Sequence, residues 1–402
     1  MPDAERIAAR LEQLWQIARG PGGGADRPAF SPAEAQAMLL VAGWARELDL
    51  EPGIDEFGNL WALPGWAGPS AGPVVTAGSH VDTVPDGGRY DGALGTVLGL
   101  ELVADLRDGA SAGGRAGVLV CAAEEAPRFG AGTMSSRLLT GALQRSELAG
   151  LRDAAGVSAA DALTTYLEAL TELPRVQPPL HRLRAHGEVH VAQRRALREL
   201  GVVTTVASPR RFTVRIGGEA GHSGEVSMAD RHDALAAAAE VVLAVEAAAR
   251  AQPPETVATV GTISVAPGAL SVIPGEARLG IDVRGISAAS LAEVDAAIRA
   301  AVGEIARRRG VTAELELVRG GEPVALDRRL AAAALDAARD LGIPAQETWS
   351  GAGHDAQHLA TIAPTLLVLV PLHGGESHTP REGADMDEIV AAGTVVARVI
   401  GA

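Results

Sequence analysis

The 402-residue sequence contains no lysine, one cysteine and few aromatic residues. All 35 basic side chains are therefore arginines, and the 50 acidic residues give a net charge of −15. Phosphate binding needs clustered cations, and no basic block stands out, so we expect no nucleic-acid partner. The single cysteine, Cys121, allows neither an internal disulfide nor a cysteine metal cluster. With 3% aromatic residues, the hydrophobic cores must be built from aliphatic side chains.

Long apolar runs are also missing. No stretch reaches the roughly 20 apolar residues that span a bilayer. The first twenty residues have the pattern of an amphipathic helix and lack the apolar centre of a signal peptide. We therefore expect a cytoplasmic protein with no membrane partner.

A second helix is predicted from Pro32, with Ser31 as its cap and Glu34 completing a capping box.

The polar stretch 78–95 organises the chain, and it reads GSHVDTVPDGGRYDGALG. It holds a His-x-Asp pair, His80 and Asp82, and a second acid, Asp91, in an Asp-Gly turn. An apolar strand pattern precedes it and a helical pattern follows, which is where α/β folds place their chemistry. Histidine and aspartate together suit a divalent cation such as Zn²⁺ or Mn²⁺. The alternative is a Gly-rich surface turn without a function.

Four further loops place His, Asp or Glu at the ends of apolar runs. The strand pattern 116–123 ends at Glu124 and Glu125, and one of two adjacent acids must turn inward because strand side chains alternate. A solvated turn is the alternative there, and an ordinary half-buried histidine is the alternative for His190. The other loops are 350–356 with His354 and 374–382 with His378. Five such loops in one chain favour a dinuclear metal site.

The hydrophobic pattern divides the chain into three segments. Residues 209–319 follow a strand–helix–strand–strand–helix–strand order, which is ferredoxin-like and compact enough for an inserted α+β domain. Residues 1–208 and 320–402 alternate buried strands with helices. We predict that these two segments form one α/β catalytic domain, with a mixed sheet covered by helices on both faces.

The motifs resemble a known family, the dinuclear metal amidohydrolases of the M20 group. The resemblance extends over about residues 35–400 and is strongest to the branch that contains N-carbamoyl-L-amino acid hydrolases, allantoate amidohydrolases and bacterial β-ureidopropionases. The motifs that carry it are, in order, GSHVDTVPDGGRYDGALG, EEAPRFGAGTMSSRLLTG, GEAGHSG, SVIPGEARLGIDVRG, SGAGHDA and GESHTP. The inserted segment 209–319 is similar to the family's lid or dimerisation domain, which implies a homodimer.

The resemblance implies a metal centre with five ligands. His80, Asp91 and His190 would surround one ion, and Asp91 would bridge to a second ion held by Glu125 and His378. We expect two divalent cations, with Zn²⁺ as the first expectation and Mn²⁺, Co²⁺ or Ni²⁺ as alternatives.

The resemblance also implies three catalytic roles. Glu124 would be the general base, and Asp82 would orient the imidazole of His80. His222 resembles the family residue that stabilises the oxyanion, although on local evidence it is an ordinary loop histidine.

Recognition of a small carboxylate-bearing substrate is implied for four residues. Arg284 would bind the carboxylate through its two-pronged guanidinium, although a surface arginine on a strand is the alternative. Gln193 and His354 resemble the remaining polar contacts. Ser271 stands where the family usually has asparagine, and residues 190–195 read HVAQRR where the family usually has HIEQGP.

The predicted activity is hydrolysis of the linear amide C–N bond in an N-carbamoyl (ureido) amino acid, giving amino acid, CO₂ and ammonia. Because both departures affect substrate recognition, an aminoacylase or peptidase of the same fold is the nearer alternative. A non-catalytic protein that binds a small anion is the more distant alternative. Such a protein would have no reason to retain Glu124 beside five metal ligands.

Overall fold

A computed structural model of the protein describes residues 2–66, 72–108 and 115–401. Within these residues the chain forms ten α-helices and fifteen β-strands. The helices are α1 (Ala4–Trp15), α2 (Pro32–Glu47), α3 (Ala93–Asp108), α4 (Met134–Leu139), α5 (Ala159–Ala169), α6 (Ala234–Arg250), α7 (Ala288–Arg309), α8 (Arg328–Asp340), α9 (Asp355–Leu359) and α10 (Met386–Ile400). The strands are β1 (Glu51–Ile54), β2 (Leu60–Leu63), β3 (Val74–Ala77), β4 (Arg115–Val120), β5 (Leu183–Val191), β6 (Leu200–Val206), β7 (Ser208–Gly217), β8 (Gly221–His222), β9 (Val257–Ala266), β10 (Val272–Ile273), β11 (Glu276–Gly285), β12 (Thr312–Arg319), β13 (Val324–Ala325), β14 (Ala345–Ser350) and β15 (Thr365–Val370).

The chain divides into two units. The first unit contains the described residues up to Thr204, the segment Ala325–Trp349 and the described residues from Gly353 onward. The second unit contains Thr205–Val324 and Ser350–Ala352. None of the helices in the described part of the chain has the length and apolar character needed to cross a bilayer.

The first unit is built on a nine-stranded mixed sheet. Its order is β1-β2-β4-β3-β5-β15-β6-β13, and β14 pairs with β6. The four central strands β4, β3, β5 and β15 run parallel, whereas β2 and β6 pair antiparallel with their neighbours in this group. Every residue of β3 and β15 is buried, as expected for parallel strands covered on both faces. The predicted α/β class with a mixed sheet is confirmed.

Helices cover both faces of this sheet because strand side chains alternate. On one face, Leu119 and Trp61 pack with Leu359 of α9. On the other face, Val118 belongs to the large core that includes Leu98 of α3. This alternation buries successive residues of one strand in two different layers.

The parallel strands bring the polar loops to one edge of the sheet. His80 follows β3, Glu124 follows β4, His190 lies near the end of β5, and His378 follows β15. Carboxyl ends of parallel strands meet at the same edge, so residues that are almost 300 positions apart in sequence become neighbours.

The start of α2 differs in one respect from its prediction. Ser31 caps the helix by accepting the N–H of Glu34 at 3.1 Å. The Glu34 carboxylate does not return to Ser31. It accepts the N–H groups of Phe30 and Ala123, the latter at 2.8 Å. Glu34 is fully buried and thus ties the start of α2 to the residue before Glu124.

The second unit contains a four-stranded antiparallel sheet in the order β12-β7-β11-β9. Its elements follow one another as β7-α6-β9-β11-α7-β12, with the short ribbon of β8 and β10 in the connections. A separate core lies between this sheet and the two helices, with Phe212 and Ile281 from the strands, Val241 from α6 and Ile298 from α7.

A buried ion pair joins α1 to α3, the helix that begins two residues after Asp91. The Glu101 carboxylate accepts Nε of Arg6 at 2.7 Å and Nη1 of Arg10 at 3.2 Å. We predict that Glu101→Ala lowers the free energy of unfolding by about 3 kcal/mol, because it leaves buried Arg10 without this partner. Urea denaturation measures the loss. The control is Asp336→Ala, which breaks an exposed pair with Arg339 and should change stability by less than about 0.5 kcal/mol. Equal effects of the two changes would contradict the prediction.

Candidate metal centre

The Asp91 carboxylate lies between two groups of possible metal ligands. Its Oδ1 is 3.0 Å from Nε2 of His190 and 3.8 Å from Nε2 of His80. Its Oδ2 is 3.0 Å from Nε2 of His378, and that nitrogen is 3.5 Å from Oε1 of Glu125. In each group of three, the ligand atoms lie within 4.8 Å of one another. Each group could hold one ion, and Asp91 could contribute one oxygen to each.

The donor chemistry of these groups fits divalent cations. Imidazole nitrogens and carboxylate oxygens are the donors that Zn²⁺ and Mn²⁺ accept. All of these residues except His378 are buried, so the ligands are held by the fold before any ion binds. A carboxylate that faces two ligand groups with its two oxygens is the arrangement expected of a bridging ligand.

The electrostatics of the centre also favour cations. Burial raises the pKa of Glu124 well above its usual range. Burial, together with the charge of Asp91, raises the pKa of Glu125 to about 7. Burial opposes ionisation of Asp91 too, but His190 and His378 together hold its pKa well below the usual range. The hydrogen bond to Asp91 raises the pKa of His378 to about 9. The histidines therefore supply, by protonation, the positive charge that bound ions would otherwise supply.

Asp82 fixes the position of three residues of the centre. Its Oδ1 lies 3.3 Å from Nδ1 of His80, on the ring edge opposite the nitrogen that faces Asp91. The same carboxylate accepts the backbone N–H groups of Glu124 at 3.1 Å and Glu125 at 2.8 Å. Asp82 is fully buried, so these contacts are shielded from water.

Glu124 lies at the side of the centre and not among the two ligand groups. Its Oε2 is 3.9 Å from Nε2 of His80, and its side chain is 11% exposed. The preceding residue, Ala123, has a φ of +53°, and His378 has a φ of +58°. A non-glycine residue in this left-handed region is strained. The strained positions thus include His378 and the residue next to Glu124, and strain of this kind is typical of functional sites.

Two more predicted residues contact the centre. Nε2 of Gln193 is 3.2 Å from Oδ2 of Asp91 and 3.1 Å from Nε2 of His378. The ring of His354 meets the ring of His190 edge-on, with centroids 4.5 Å apart. Burial, reinforced by the nearby charge of His190, holds the pKa of His354 well below its usual range.

The other three predicted residues lie in the second unit. His222 is in β8, which pairs with β10 directly after Ser271. The structure thus brings these two residues together. Arg284 lies in β11, where its Nε donates to Asp282 at 2.7 Å and its Nη1 donates to the carbonyl of Gly351 at 3.1 Å.

The sequence reasoning missed Glu382. Its carboxylate accepts the backbone N–H groups of Tyr90 at 2.7 Å and Asp91 at 3.1 Å. Burial and the charge of Asp91 raise its pKa to about 7. Glu382 follows His378 by four residues, so it joins the loop of His378 to the loop of Asp91. An acid inside the predicted polar loop 374–382 was the available signal.

Glu188 is a second buried carboxylate without an assigned role. It accepts the hydroxyl of Ser79 at 2.8 Å and the N–H of Ala356 at 2.8 Å. Both of its oxygens are therefore occupied. It holds together the loops that carry His80 and His354. The signal was its place two residues before His190 on one face of a strand.

A mixed α/β sheet with two groups of acid and imidazole ligands at the ends of its parallel strands is the arrangement of a metal-dependent hydrolase. The sequence profile of peptidase family M20/M25/M40 matches residues 76–402, and the chain belongs to that family. The resemblance inferred from the motifs is confirmed, and the protein is an enzyme, a hydrolase.

Two relatives and one solved structure show how similar the chain is to known proteins. It is 33% identical to the N-carbamoyl-L-amino acid amidohydrolase of Geobacillus stearothermophilus, over 98% of this chain and 97% of that protein. It is 32% identical to the allantoate amidohydrolase of Bacillus subtilis, over 94% of this chain and 92% of that protein. The crystal structure of a hydantoinase/carbamoylase family amidase from Burkholderia multivorans matches with a TM-score of 0.87 and 33% identity, over 99% of this chain and 97% of that one.

The contacts of Glu382 predict an effect on metal affinity. Glu382→Ala leaves the N–H groups of Tyr90 and Asp91 without their acceptor, and loss of such a supporting contact weakens metal binding by about 10–100-fold. Calorimetric titration of metal-free protein with Mn²⁺ or Zn²⁺ measures this. Glu376→Ala is the control, since Glu376 lies in the same loop and pairs with Arg381 at the surface. Equal affinities of the two variants would show that Glu382 does not support the centre.

The raised pKa of His378 predicts that metal binding releases protons. Below about pH 9 this imidazole is protonated in the metal-free protein, and it must lose its proton to bind an ion. Metal affinity should therefore rise with pH, and proton release should fall as pH rises through about 9. Calorimetry in buffers of different ionisation enthalpy at pH 7.5 and above pH 9 counts the protons. Metal binding at pH 7.5 without proton release would contradict the prediction that His378 gives up a proton to bind an ion.

Proposed function

We propose that this chain hydrolyses the amide C–N bond of N-carbamoyl-L-amino acids and releases amino acid, CO₂ and ammonia. The observation that carries the proposal is the position of Asp91, with one oxygen toward each ligand group, and Glu124 beside them. The amidohydrolase activities named for the relatives from Geobacillus stearothermophilus and Bacillus subtilis support the choice of a linear amide.

The proposed cofactor is a pair of divalent cations, Zn²⁺ first and Mn²⁺, Co²⁺ or Ni²⁺ as alternatives. His80, Asp91 and His190 would hold one ion, and Asp91, Glu125 and His378 the other. When bound, such a pair lowers the pKa of water and stabilises negative charge that develops on oxygen.

Glu124 is the proposed general base. It would take the proton of the attacking water and deliver it to the leaving nitrogen. Its burial supports this role, because a pKa above the usual range allows a carboxylate to hold that proton between the two steps. Asp82 would keep the imidazole of His80 and the backbone of Glu124 in place through the contacts described above.

The proposed substrate side uses five residues. Arg284 would bind the substrate carboxylate, and its hydrogen bonds to Asp282 and Gly351 hold the guanidinium in one orientation. His222 would stabilise the oxyanion. Gln193, Ser271 and His354 would supply the remaining polar contacts.

The second unit, close to the predicted segment 209–319, is proposed as a lid and dimerisation domain, and residues 1–208 with 320–402 as the catalytic domain. A homodimer and a cytoplasmic location belong to the same proposal.

An aminoacylase or peptidase activity is the second candidate, and Arg194 is the observation that favours it. This residue follows Gln193 and replaces a glycine of the usual family motif. Its guanidinium lies 4.7 Å from the ring centroid of Trp349 and donates to Thr348 at 2.8 Å. The Arg194 guanidinium would therefore place bulk and positive charge next to Gln193, where glycine would place neither, and so change the surface that a substrate contacts.

The first test is ammonia release from N-carbamoyl-L-amino acids and allantoate by metal-loaded protein. The wild type should release ammonia, and Glu124→Gln, which cannot accept the proton, should lower kcat by about 10²–10⁴-fold. Metal content of the two proteins should be equal, because Glu124 is not among the proposed ligands. Turnover of N-acyl amino acids without ammonia release from any carbamoyl compound would favour the second candidate.

A further inference from the structure

A cavity of about 420 Å³ adjoins the metal centre at Glu125. It is lined by parts of four segments, residues 28–32, 83–85, 125–128 and 153–155. All four belong to the first unit. Glu125 is both a wall of the cavity and a member of a candidate ligand group, so the cavity and the candidate centre share this residue.

The Arg128 guanidinium in the cavity wall is already engaged. Its Nη1 donates to the carbonyls of Ala29 at 2.7 Å and Phe30 at 3.0 Å. Its Nε and Nη2 both donate to Oδ2 of Asp153 at 3.2 Å. The charge of Arg128 is thus balanced inside the wall, and its donors join three of the four lining segments to one another.

The other polar groups of the wall are used in the same way. Oδ1 of Asp153 accepts the N–H groups of Ala155 and Val157, each at 3.0 Å. The hydroxyl of Ser31 caps α2, and the hydroxyl of Thr83 accepts the N–H of Arg27 at 2.9 Å. Of the charged side chains that line the cavity, Glu125 is the one that faces the metal groups. Each of these polar groups of the wall already has a partner, so a charged ligand would have to compete for it.

The rest of the lining is apolar and stiff. The lining includes Pro28, Pro32, Pro85 and Pro127. The ring of each proline fixes the backbone φ angle at its position. Ala29 is buried, while Ala154 and Ala155 are exposed and stand at the rim. Such a cavity is preformed and recognises size and apolar character.

We propose that this cavity binds an uncharged aliphatic group of the substrate. The proposal rests on the proposed function, because it needs the reacting bond to lie at the metal centre. The aliphatic group has two possible sources: the side chain of the amino acid, or an acyl group in place of the carbamoyl group. An aliphatic group bound there contacts proline and alanine side chains and leaves the hydrogen bonds between Arg128 and Asp153 intact.

The test compares two substrate series with metal-loaded protein. One series lengthens the side chain in N-carbamoyl-glycine, -alanine, -norvaline and -norleucine. The other lengthens the acyl group in N-acetyl-, N-butanoyl- and N-hexanoyl-L-alanine. The variants Ala154→Trp and Ala155→Trp fill the cavity from its exposed rim, and each retains the backbone N–H at its position. Ala169→Trp, at the exposed end of α5, is the matched control.

In the series that uses the cavity, the wild type should favour longer chains. The two filling variants should then lower kcat/KM for the longest member by at least about tenfold relative to the shortest, as a misfit of a few methylene groups does in an apolar pocket. Ala169→Trp should leave this ratio unchanged. The series that responds identifies the source of the group. A uniform loss along both series, or no change in either, would overturn the proposal.

Failure of the proposed function gives a different result. In that case no carbamoyl compound is hydrolysed, while the acyl series still reports on the cavity. Calorimetric binding of the longest and shortest members of each series to metal-loaded Glu124→Gln protein, with and without Ala155→Trp, gives the same comparison without turnover. Equal binding losses for long and short members would again overturn the proposal.

Discussion

The structure of the first unit depends on the burial of several carboxylates at one edge of its sheet. Asp82, Asp91, Glu125 and Glu382 are each at most 7% exposed, and Glu124 is close to them. A buried carboxylate is costly unless charge or hydrogen bonds compensate it. The fold compensates each one differently, and these differences separate their roles.

Asp82 and Asp91 show the two kinds of compensation. Asp82 is satisfied mainly by backbone N–H groups, so it acts as a fixed support whether or not an ion is present. Asp91 is satisfied on its side-chain oxygens by His190 and His378, and its own N–H is held by Glu382. Its position is therefore fixed through the backbone, and its two oxygens stay directed at the groups that can exchange protons for cations.

Local signals in the sequence predicted the elements and most of the centre. The continuous apolar runs of β3 and β15 indicated buried strands, and polar residues at the ends of such runs lie where α/β folds place their chemistry. That argument predicted a dinuclear metal site from the loops that carry His80, Asp91 and His378. The residues it missed act through contacts with no local trace. Glu382 binds the backbone of Tyr90 across a separation of 292 residues, and Glu34 left its expected capping box for the N–H of Ala123. Sequence spacing constrains neither contact, because each depends on how two segments that are distant in sequence approach each other in the fold.

Within residues 190–195, the positions that match the family motif and those that depart from it make different contacts in the structure. Residues 190–195 keep His190 and Gln193, the two members that contact the Asp91 carboxylate. The replaced positions include Arg194, which packs on Trp349 and Thr348. The two positions that match the motif thus contact the buried Asp91 carboxylate, whereas Arg194 contacts other side chains. The electrostatics of one sheet edge constrain which side chains can occupy positions 190 and 193, because both contact a buried carboxylate, whereas position 194 is free of that constraint.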